Sequence, residues 1–238
     1  SSFASYEYLE VIMKNSIKKL SFLCLFISLF SQYAVCERYV HGSYNQFKIA
    51  ALSHEEALDE ASRSAWTFNA LVMADTLLKN PQIDVTPDMI NTVLIRGAEH
   101  RNPHGGTALP TIEEASQQFN HLKRHETTDL VLTHDQFDRQ LRELLTTDGN
   151  AARAFIVTIR NETFLIHRYA RLRNQQRYVL FDSHGIAATS PGAANHPAVA
   201  IICDRVEELI MILSKDGFKF EKPNSDISSL VYKESLDA

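Results

Sequence analysis

An aspartate and a histidine stand two residues apart at the end of an apolar run, and their side chains suit acid–base chemistry. Asp182 and His184 follow residues 179–181, Val-Leu-Phe, whose β-branched and aromatic types predict a buried strand that ends by Gly185. If the chain stays extended to Gly185, both side chains leave the same face of the sheet. A carboxylate beside an imidazole fixes its tautomer and stabilises its protonated form. From the tripeptide alone, an ordinary turn that closes a strand is the favoured interpretation, and the functional alternative is the base of a nucleophilic enzyme.

Length, charge and cysteine content limit the classes of protein that this chain can form. Its 238 residues suffice for one domain, or for two small lobes that share a cleft. The net charge of −5 argues against wholesale binding of nucleic acid. A local basic cluster is better explained as the solvated side of a hairpin; it comprises Arg168, Arg171, Arg173 and Arg177. With only three cysteines, a disulfide framework is excluded.

The amino-terminal segment has the layout of a secretory signal peptide over residues 13–36. A basic stretch is followed by a mostly apolar run, residues 20–30, and then by small and polar residues. The run is shorter than the ~20 residues that span a bilayer, and the alternatives are an uncleaved anchor or a core helix. Residues 1–12 are then an upstream extension outside any fold. We expect a secreted chain, residues 37–238, that forms a single domain with no stable membrane span.

Helical patterns dominate the first half of the chain, after a polar loop at residues 39–46. Apolar residues recur at helical spacing at positions 61, 65, 68 and 72, and residues 65–78, which continue this series, are predicted to form a central buried helix. Thr86 predicts the start of a second helix, which ends by Gly97. Capping boxes at residues 111–114 and 133–136 predict two more helices.

The pattern changes to strands after residue 150. Strands are predicted at residues 154–159, 163–167, 177–182 and 198–202, and the short connections between the first three imply an antiparallel meander. A helix over residues 206–213 follows. The expected fold class is α+β, with a helical lobe at about 50–147 followed by an antiparallel sheet lobe at about 150–215.

Three short motifs carry a resemblance to a known family. Residues 63–70, RSAWTFNA, resemble the nucleophile segment of papain-like cysteine proteases, where the cysteine precedes an aromatic, a small and another aromatic residue. With residues 42–46, GSYNQ, and residues 180–185, LFDSHG, the chain resembles the herpesvirus large-tegument deubiquitinases and the bacterial viral-tegument-like deubiquitinases. The resemblance implies a papain-like cysteine protease fold. It also implies cleavage after the terminal glycine of ubiquitin, or of a ubiquitin-like protein, without a cofactor or metal.

The resemblance assigns catalytic roles to four positions. Gln46 belongs to the oxyanion hole, His184 is the general base and acid, and Asp182 orients it. The nucleophile position falls on Ala65, with Ser64 as an alternative register for the missing cysteine. The spacing from Gln46 to Ala65 is longer than the family usually shows. Without a cysteine at this position, the chain is expected to be inactive.

Two explanations of Ala65 remain. An introduced Cys-to-Ala change, made to trap a substrate complex, would leave the other site residues in place, as they are here, and is favoured. Natural loss of the nucleophile is the alternative. Neither Cys24 nor Cys203 stands in a sequence context that matches the family.

Two other functional classes compete with a cysteine protease. A metal-dependent hydrolase would use Asp182 and His184 with a third ligand from His100, His104, His167 or His196. A non-catalytic ubiquitin-binding pseudoenzyme would keep the fold without the chemistry. The leader and the resemblance together suggest a secreted bacterial factor that acts on the ubiquitin of a eukaryotic host cell.

Overall fold

The structure is a computed structural model that describes part of the chain. The described residues are 38–44, 65–80, 82–101, 110–119, 122–130, 134–147, 151–159, 162–171, 176–185, 196–213 and 225–232. The chain divides into two compact units, Ser1–Cys36 and Glu37–Ala238, and every described residue belongs to the second. The predicted signal peptide and Gln46 lie outside the described residues.

In the described residues, helices predominate in the first half of the chain and strands in the second. In chain order the elements are β1 (Arg38–His41), α1 (Trp66–Lys79), α2 (Pro87–Arg101), α3 (Ile112–Ser116), β2 (Leu122–Leu130), α4 (His134–Thr146), β3 (Arg153–Ile159), β4 (Glu162–Arg168), β5 (Tyr178–Asp182), β6 (Val199–Cys203), α5 (Val206–Leu213) and β7 (Ser225–Tyr232). The strands make one seven-stranded sheet in the order β1-β6-β5-β4-β3-β7-β2, and every pairing is antiparallel. The predicted meander is the β3-β4-β5 part of this sheet.

Helices cover both faces of the central strands. On the face that we call the α1 face, alternate residues of β3 to β6, such as Leu165 and Phe181, pack against α1 and α2. On the opposite face, the α5 face, their neighbours, such as Ile166 and Leu180, pack against α4 and α5. Every residue of β5 is therefore buried, which explains why its sequence is a continuous apolar run rather than an alternation.

The central buried helix predicted near residue 65 is α1. Phe68, Leu71 and Val72 have no exposed surface, because α1 lies between α2 and the sheet. Its buried Thr67 hydroxyl lies 3.5 Å from that of Thr163 on β4. Lys79 in the last turn donates to Asp75 at 2.9 Å, which favours the helix end electrostatically. The contact between Thr67 and Thr163 thus holds the start of α1 against the sheet.

The prediction that the second helix ends by Gly97 is wrong. The Thr86 hydroxyl accepts from Met89 N at 3.2 Å, so the predicted start is confirmed, but α2 continues to Arg101. A Cβ on Gly97 would overlap Asn69 Oδ1 and lie 2.9 Å from Asn69 Cγ. The glycine is therefore required where α2 crosses α1, and not as a helix cap. The predicted capping box at residues 111–114 is confirmed at the start of α3.

The sheet contains three strands outside the predicted sheet lobe at about 150–215: β1 and β2 precede it in sequence, and β7 follows it. Residues 39–41 belong to edge strand β1, so the predicted loop at residues 39–46 is wrong for these three. Strand β2 lies within the predicted helical lobe, and β7 follows the predicted end of the sheet lobe. These two strands pair with each other, and β7 joins them to β3. The helical and sheet regions are thus interleaved along the chain.

None of the helices in the described ranges combines the length and the apolar character that crossing a bilayer requires.

Candidate active site

The carboxylate and imidazole singled out from the sequence lie together at the end of β5. Asp182 Oδ1 accepts a hydrogen bond from the His184 backbone N–H at 2.8 Å, and the same oxygen is 3.4 Å from His184 Nδ1. Both side chains are buried. The strand ends at Asp182 and the chain then bends, so the condition under which both side chains would leave one face of the sheet, an extended chain to Gly185, is not met. An aspartate that binds the N–H two residues ahead forms a local turn, and this turn brings the pair together.

Gly185 holds the histidine turn against the segment that enters β6. Its φ angle is +84°, which favours glycine over any residue with a Cβ. A Cβ there would lie 2.8 Å from the Pro197 carbonyl oxygen and 3.0 Å from His196 Cβ. The sequence marked Gly185 only as the end of a strand. Its contact with Pro197 had no local signal, because it joins segments that are distant in sequence.

Ala65 immediately precedes α1, as predicted for the nucleophile position. Its side chain is fully buried, and its carbonyl accepts the first hydrogen bond of the helix, from Asn69 N at 2.7 Å. No side chain caps this end of the helix. The unpaired N–H groups and the dipole of a helix start favour negative charge, and they lower the pKa of a thiol placed there. A cysteine at position 65 would be poised to ionise.

Trp66 connects the start of α1 to the histidine. The centres of the Trp66 and His184 rings are 5.7 Å apart, with an angle of 36° between the planes. Because Trp66 is the first residue of α1, this contact brings His184 to the amino-terminal end of the helix, which Ala65 precedes. The Trp66 side chain itself is only partly buried. The structure therefore brings the Asp182–His184 pair to the end of α1 where Ala65 stands.

The segment that precedes Gln46 also approaches this region. Gly42 N donates to the Ala198 carbonyl, and Ala198 N donates to the Tyr44 carbonyl, each at 2.9 Å. Ala198 follows Pro197, which contacts the histidine turn through Gly185. Gln46 itself and Ser64, the alternative register, lie outside the described residues.

Cys203 is not a substitute nucleophile. In the β5–β6 register it pairs with Tyr178, whereas Asp182 pairs with Val199 at the other end of both strands. Four residues of extended chain separate these levels by about 13 Å. Cys203 also belongs to the core on the α5 face, away from α1.

In the described part of the chain, the histidines proposed as metal ligands do not form a metal-binding cluster with the pair. His167 on β4 is fully buried, and burial, aided by the positive charge of Arg168, lowers its pKa from 6.5 to about 3. Neither ring nitrogen has a hydrogen-bond partner in the described part of the chain, and the ring packs edge-on to Tyr169 at 4.7 Å. Among the described residues, no three His, Cys, Asp or Glu side chains are arranged to hold a metal ion. His104 lies outside them.

Comparison with known proteins shows the class of fold. No model of a known protein family matches the sequence, and no curated protein matches it. The chain is similar in structure to a papain-like protease, which confirms the predicted fold class, α+β and papain-like. That protein is the ubiquitin-specific protease encoded by the murine cytomegalovirus tegument protein M48, in complex with a ubiquitin-based suicide substrate. The TM-score is 0.50 at 16% identity, over 81% of this chain and 85% of the viral chain.

Proposed function

We propose that this chain has the fold and site of a ubiquitin-specific cysteine protease, and that Ala65 occupies the position of its nucleophile. The observation that carries the proposal is the contact of the Trp66 ring with the His184 ring, which brings the Asp182–His184 pair to the amino-terminal end of α1, where Ala65 stands. A nucleophile at a helix start, an imidazole beside it and a carboxylate behind the imidazole form the arrangement that activates a thiol. The similarity to a viral ubiquitin-specific protease supports ubiquitin as the substrate.

The chemistry follows once a cysteine stands at position 65. Asp182 Oδ1 lies beside His184 Nδ1, which leaves Nε2 to take the proton of the thiol. The thiolate attacks the carbonyl carbon of the terminal glycine of ubiquitin, and the oxyanion is stabilised by Gln46 and a backbone N–H. His184 then protonates the leaving amine. Water releases ubiquitin from the thioester, and the thiol recovers its proton. With Ala65 the first bond cannot form, so we expect the chain to have no hydrolytic activity.

Restoring the cysteine tests the proposal. Residues 37–238 carrying Ala65→Cys are incubated with a ubiquitin probe that has a thiol-reactive carboxy terminus, and the intact mass is measured. We expect a one-to-one adduct that is missing in the Ala65 chain, which retains the buried Cys203 as an internal control for non-specific reaction. His184→Ala in the Ala65→Cys background should abolish cleavage of a ubiquitin substrate. Retention of cleavage in that double variant would refute the assigned base.

A folded Ala65→Cys protein that forms no adduct would contradict the assignment of position 65. Ser64→Cys then tests the alternative register by the same measurement. Failure of both variants would refute a cysteine protease of this design.

A second candidate function is ubiquitin binding without catalysis, and the observation that favours it is Ala65 itself. The chain as it stands would then bind ubiquitin through the same surface, which calorimetry with the unmodified chain would measure. Binding together with an inert Ala65→Cys variant would favour this function over the protease.

We also propose that residues 13–36 direct export and that the chain meets host ubiquitin after secretion. Fusion of residues 1–36 to a reporter enzyme tests the first step: export requires the apolar run, and a reporter retained inside the producing cell would contradict it.

A further inference from the structure

The His184 imidazole is contacted by Asp182 and by Trp66, and the two contacts differ in kind. Asp182 Oδ1 accepts from the His184 backbone N–H at 2.8 Å, but it lies 3.4 Å from the ring atom Nδ1. The second distance is longer than the ~2.7–2.9 Å of a charge-assisted hydrogen bond. The carboxylate therefore binds the backbone of residue 184 more closely than it binds the ring.

The Trp66 ring contacts the imidazole directly. The two ring centres are 5.7 Å apart, which is within the ~4.5–7 Å over which aromatic rings attract each other. Trp66 is only partly buried, whereas the next two residues of α1, Thr67 and Phe68, are buried. The indole thus contributes less to the core than its neighbours do, and its contact with His184 gives it another role.

The backbone is held in place at both ends of this ring contact. Trp66 is the first residue of α1, and the buried hydroxyl of the next residue, Thr67, lies 3.5 Å from that of a threonine on β4. On the other side, His184 is followed by Gly185, which lies so close to Pro197 that a Cβ would be 2.8 Å from its carbonyl oxygen. The ring contact therefore joins two anchored segments, the start of α1 and the turn after β5.

The remaining freedom of His184 is rotation of the imidazole about its own side-chain bonds. A general base must lie within about 2.6–3.2 Å of the group whose proton it removes, so this rotation decides whether the ring can act. A long contact to Asp182 restricts the rotation weakly. A ring packed against the imidazole from an anchored helix restricts it further.

We propose that Trp66 is a positioning residue for the thiol-protease reaction, whose indole holds the His184 imidazole in the orientation that takes the proton of a thiol at position 65. The inference rests on the proposed function. An aromatic pair favours its packed geometry by roughly 2- to 10-fold, so its loss lowers the fraction of chains with a productive imidazole by about that factor. The loss appears in kcat and not in KM, because the imidazole acts in the chemical step.

The first test is Trp66→Leu in the full chain that carries Ala65→Cys. Leucine is apolar and a good helix former, but it has no ring. With a fluorogenic ubiquitin carboxy-terminal amide as substrate, we expect kcat to fall about three- to tenfold. KM should stay within a factor of about two, and circular dichroism should show the same fold in both chains. An unchanged kcat in the folded variant would overturn the inference.

Trp66→Phe is the conservative variant, because it keeps an aromatic ring at the same position. We expect it to lose less kcat than Trp66→Leu does. Equal losses in the two variants would show that the ring is not what positions the imidazole, and would overturn the inference.

The matched control is Tyr39→Leu, which removes another aromatic ring that packs on a histidine. The Tyr39 and His41 ring centres are 6.3 Å apart on edge strand β1. Val40 packs on the α1 face, so the side chains on either side of it leave the opposite face of the sheet. We expect Tyr39→Leu to leave kcat unchanged. A loss equal to that of Trp66→Leu would reflect a general weakening of the fold and would overturn the inference.

Alkylation of the introduced thiol separates positioning of the imidazole from contact with ubiquitin. Iodoacetamide reacts with the thiolate and needs no protein substrate, and intact mass gives the rate. The Ala65 chain, which retains the three cysteines of the sequence, gives the background. We expect Trp66→Leu to slow alkylation of the Ala65→Cys chain by the same factor as kcat. Slower turnover with unchanged alkylation would mean that Trp66 contacts the substrate instead, and would overturn the inference.

A double-mutant cycle with His184→Ala tests the route of the effect. If Trp66 acts through His184, Trp66→Leu slows alkylation little further when His184 is already alanine. Losses that multiply in full would contradict that route. The two proposals fail separately: an Ala65→Cys chain that reacts with no ubiquitin substrate refutes the function, whereas an active chain indifferent to Trp66→Leu refutes only the role of Trp66.

Discussion

The buried histidine on β4 makes the stability of this protein depend on pH in a way that can be calculated. His167 has a native-state pKa of about 3, against 6.5 in the unfolded chain. As the pH falls below about 6.5, His167 binds a proton in the unfolded chain, whereas in the folded chain it binds one only near pH 3. The contribution to stability is therefore complete above pH 6.5 and is lost progressively as the pH falls toward 3.

The size of this loss at pH 5 hardly depends on the native pKa. The interval from the unfolded pKa of 6.5 to pH 5 is about 1.5 units, and each unit corresponds to about 1.4 kcal/mol. We therefore expect His167 to lower the free energy of unfolding by about 2 kcal/mol between pH 7.5 and pH 5. Because other groups titrate over the same range, the quantity to measure is the difference between the parent and a variant without this histidine.

His167→Met is that variant, since methionine is unbranched and adapts to irregular core space. Urea denaturation, followed by the fluorescence of the single tryptophan, Trp66, gives the free energy of unfolding at both pH values. At pH 7.5 we expect the variant to be more stable by about 1–3 kcal/mol, because it buries no unpaired ring nitrogens. At pH 5 its advantage should grow by about 2 kcal/mol.

The matched control is His41→Met, which removes an exposed histidine from another strand of the same sheet. The same denaturation at both pH values separates the effect of losing an exposed histidine from the effect of losing the buried one. If His167→Met also loses as much stability as the parent, the ring is hydrated or paired in solution and the reasoning from burial is refuted.

Three further substitutions test contacts that position the site. Gly97→Ala should lower the free energy of unfolding by about 1–3 kcal/mol in urea denaturation, because its Cβ would overlap Asn69; an unchanged midpoint would contradict this packing. Gly185→Ala in the Ala65→Cys chain should lower kcat at least about tenfold, since the residue has a positive φ and its Cβ would meet the Pro197 carbonyl; equal rates would show that the turn adapts. Arg168→Lys should cost about 2 kcal/mol of thermal stability, because the buried guanidinium donates to three carbonyls at and after the end of α4 and an ammonium cannot span them; no shift in Tm would refute this.

The parts of the fold that the sequence predicted are those that local patterns determine. Helix α1, the start of α2 and the capping box of α3 depend on spacing and on single residues, and these predictions are confirmed. Strands β3 to β5 are apolar and closely spaced, and they form the expected meander.

The strands that the sequence did not predict depend on partners elsewhere in the chain. Strand β2, with the sequence LKRHETTDL, lacks an apolar alternation, and it becomes a strand by pairing with β7. Strand β1 has only four residues and pairs with β6 from the far end of the chain. The prediction that α2 ends by Gly97 was wrong for the same reason. The role of this glycine is set by Asn69 on another helix and not by its neighbours in sequence. Local patterns cannot report such long-range contacts.

The candidate site, too, has parts that local sequence patterns predict and parts that they do not. The order of the motifs and the start of a helix at residue 66 could be read from the sequence, and the Asp–x–His spacing indicated a pair. The turn that brings the two side chains together could not be predicted. It forms because the Asp182 carboxylate takes a backbone N–H that would otherwise bond within the sheet.

The hydrogen bond from the His184 N–H gives the Asp182 carboxylate a task that needs no nucleophile. It terminates β5 and ties the backbone of residue 184 to the strand, so the acid and the imidazole form one unit that folds together. A chain can therefore lose its cysteine and still keep this unit intact, as an anchor of the sheet end. Replacement of Asp182 should then weaken the Ala65 protein as well as slow its Ala65→Cys counterpart. The Asp182–His184 pair thus has a role in the architecture that is separate from any role in catalysis.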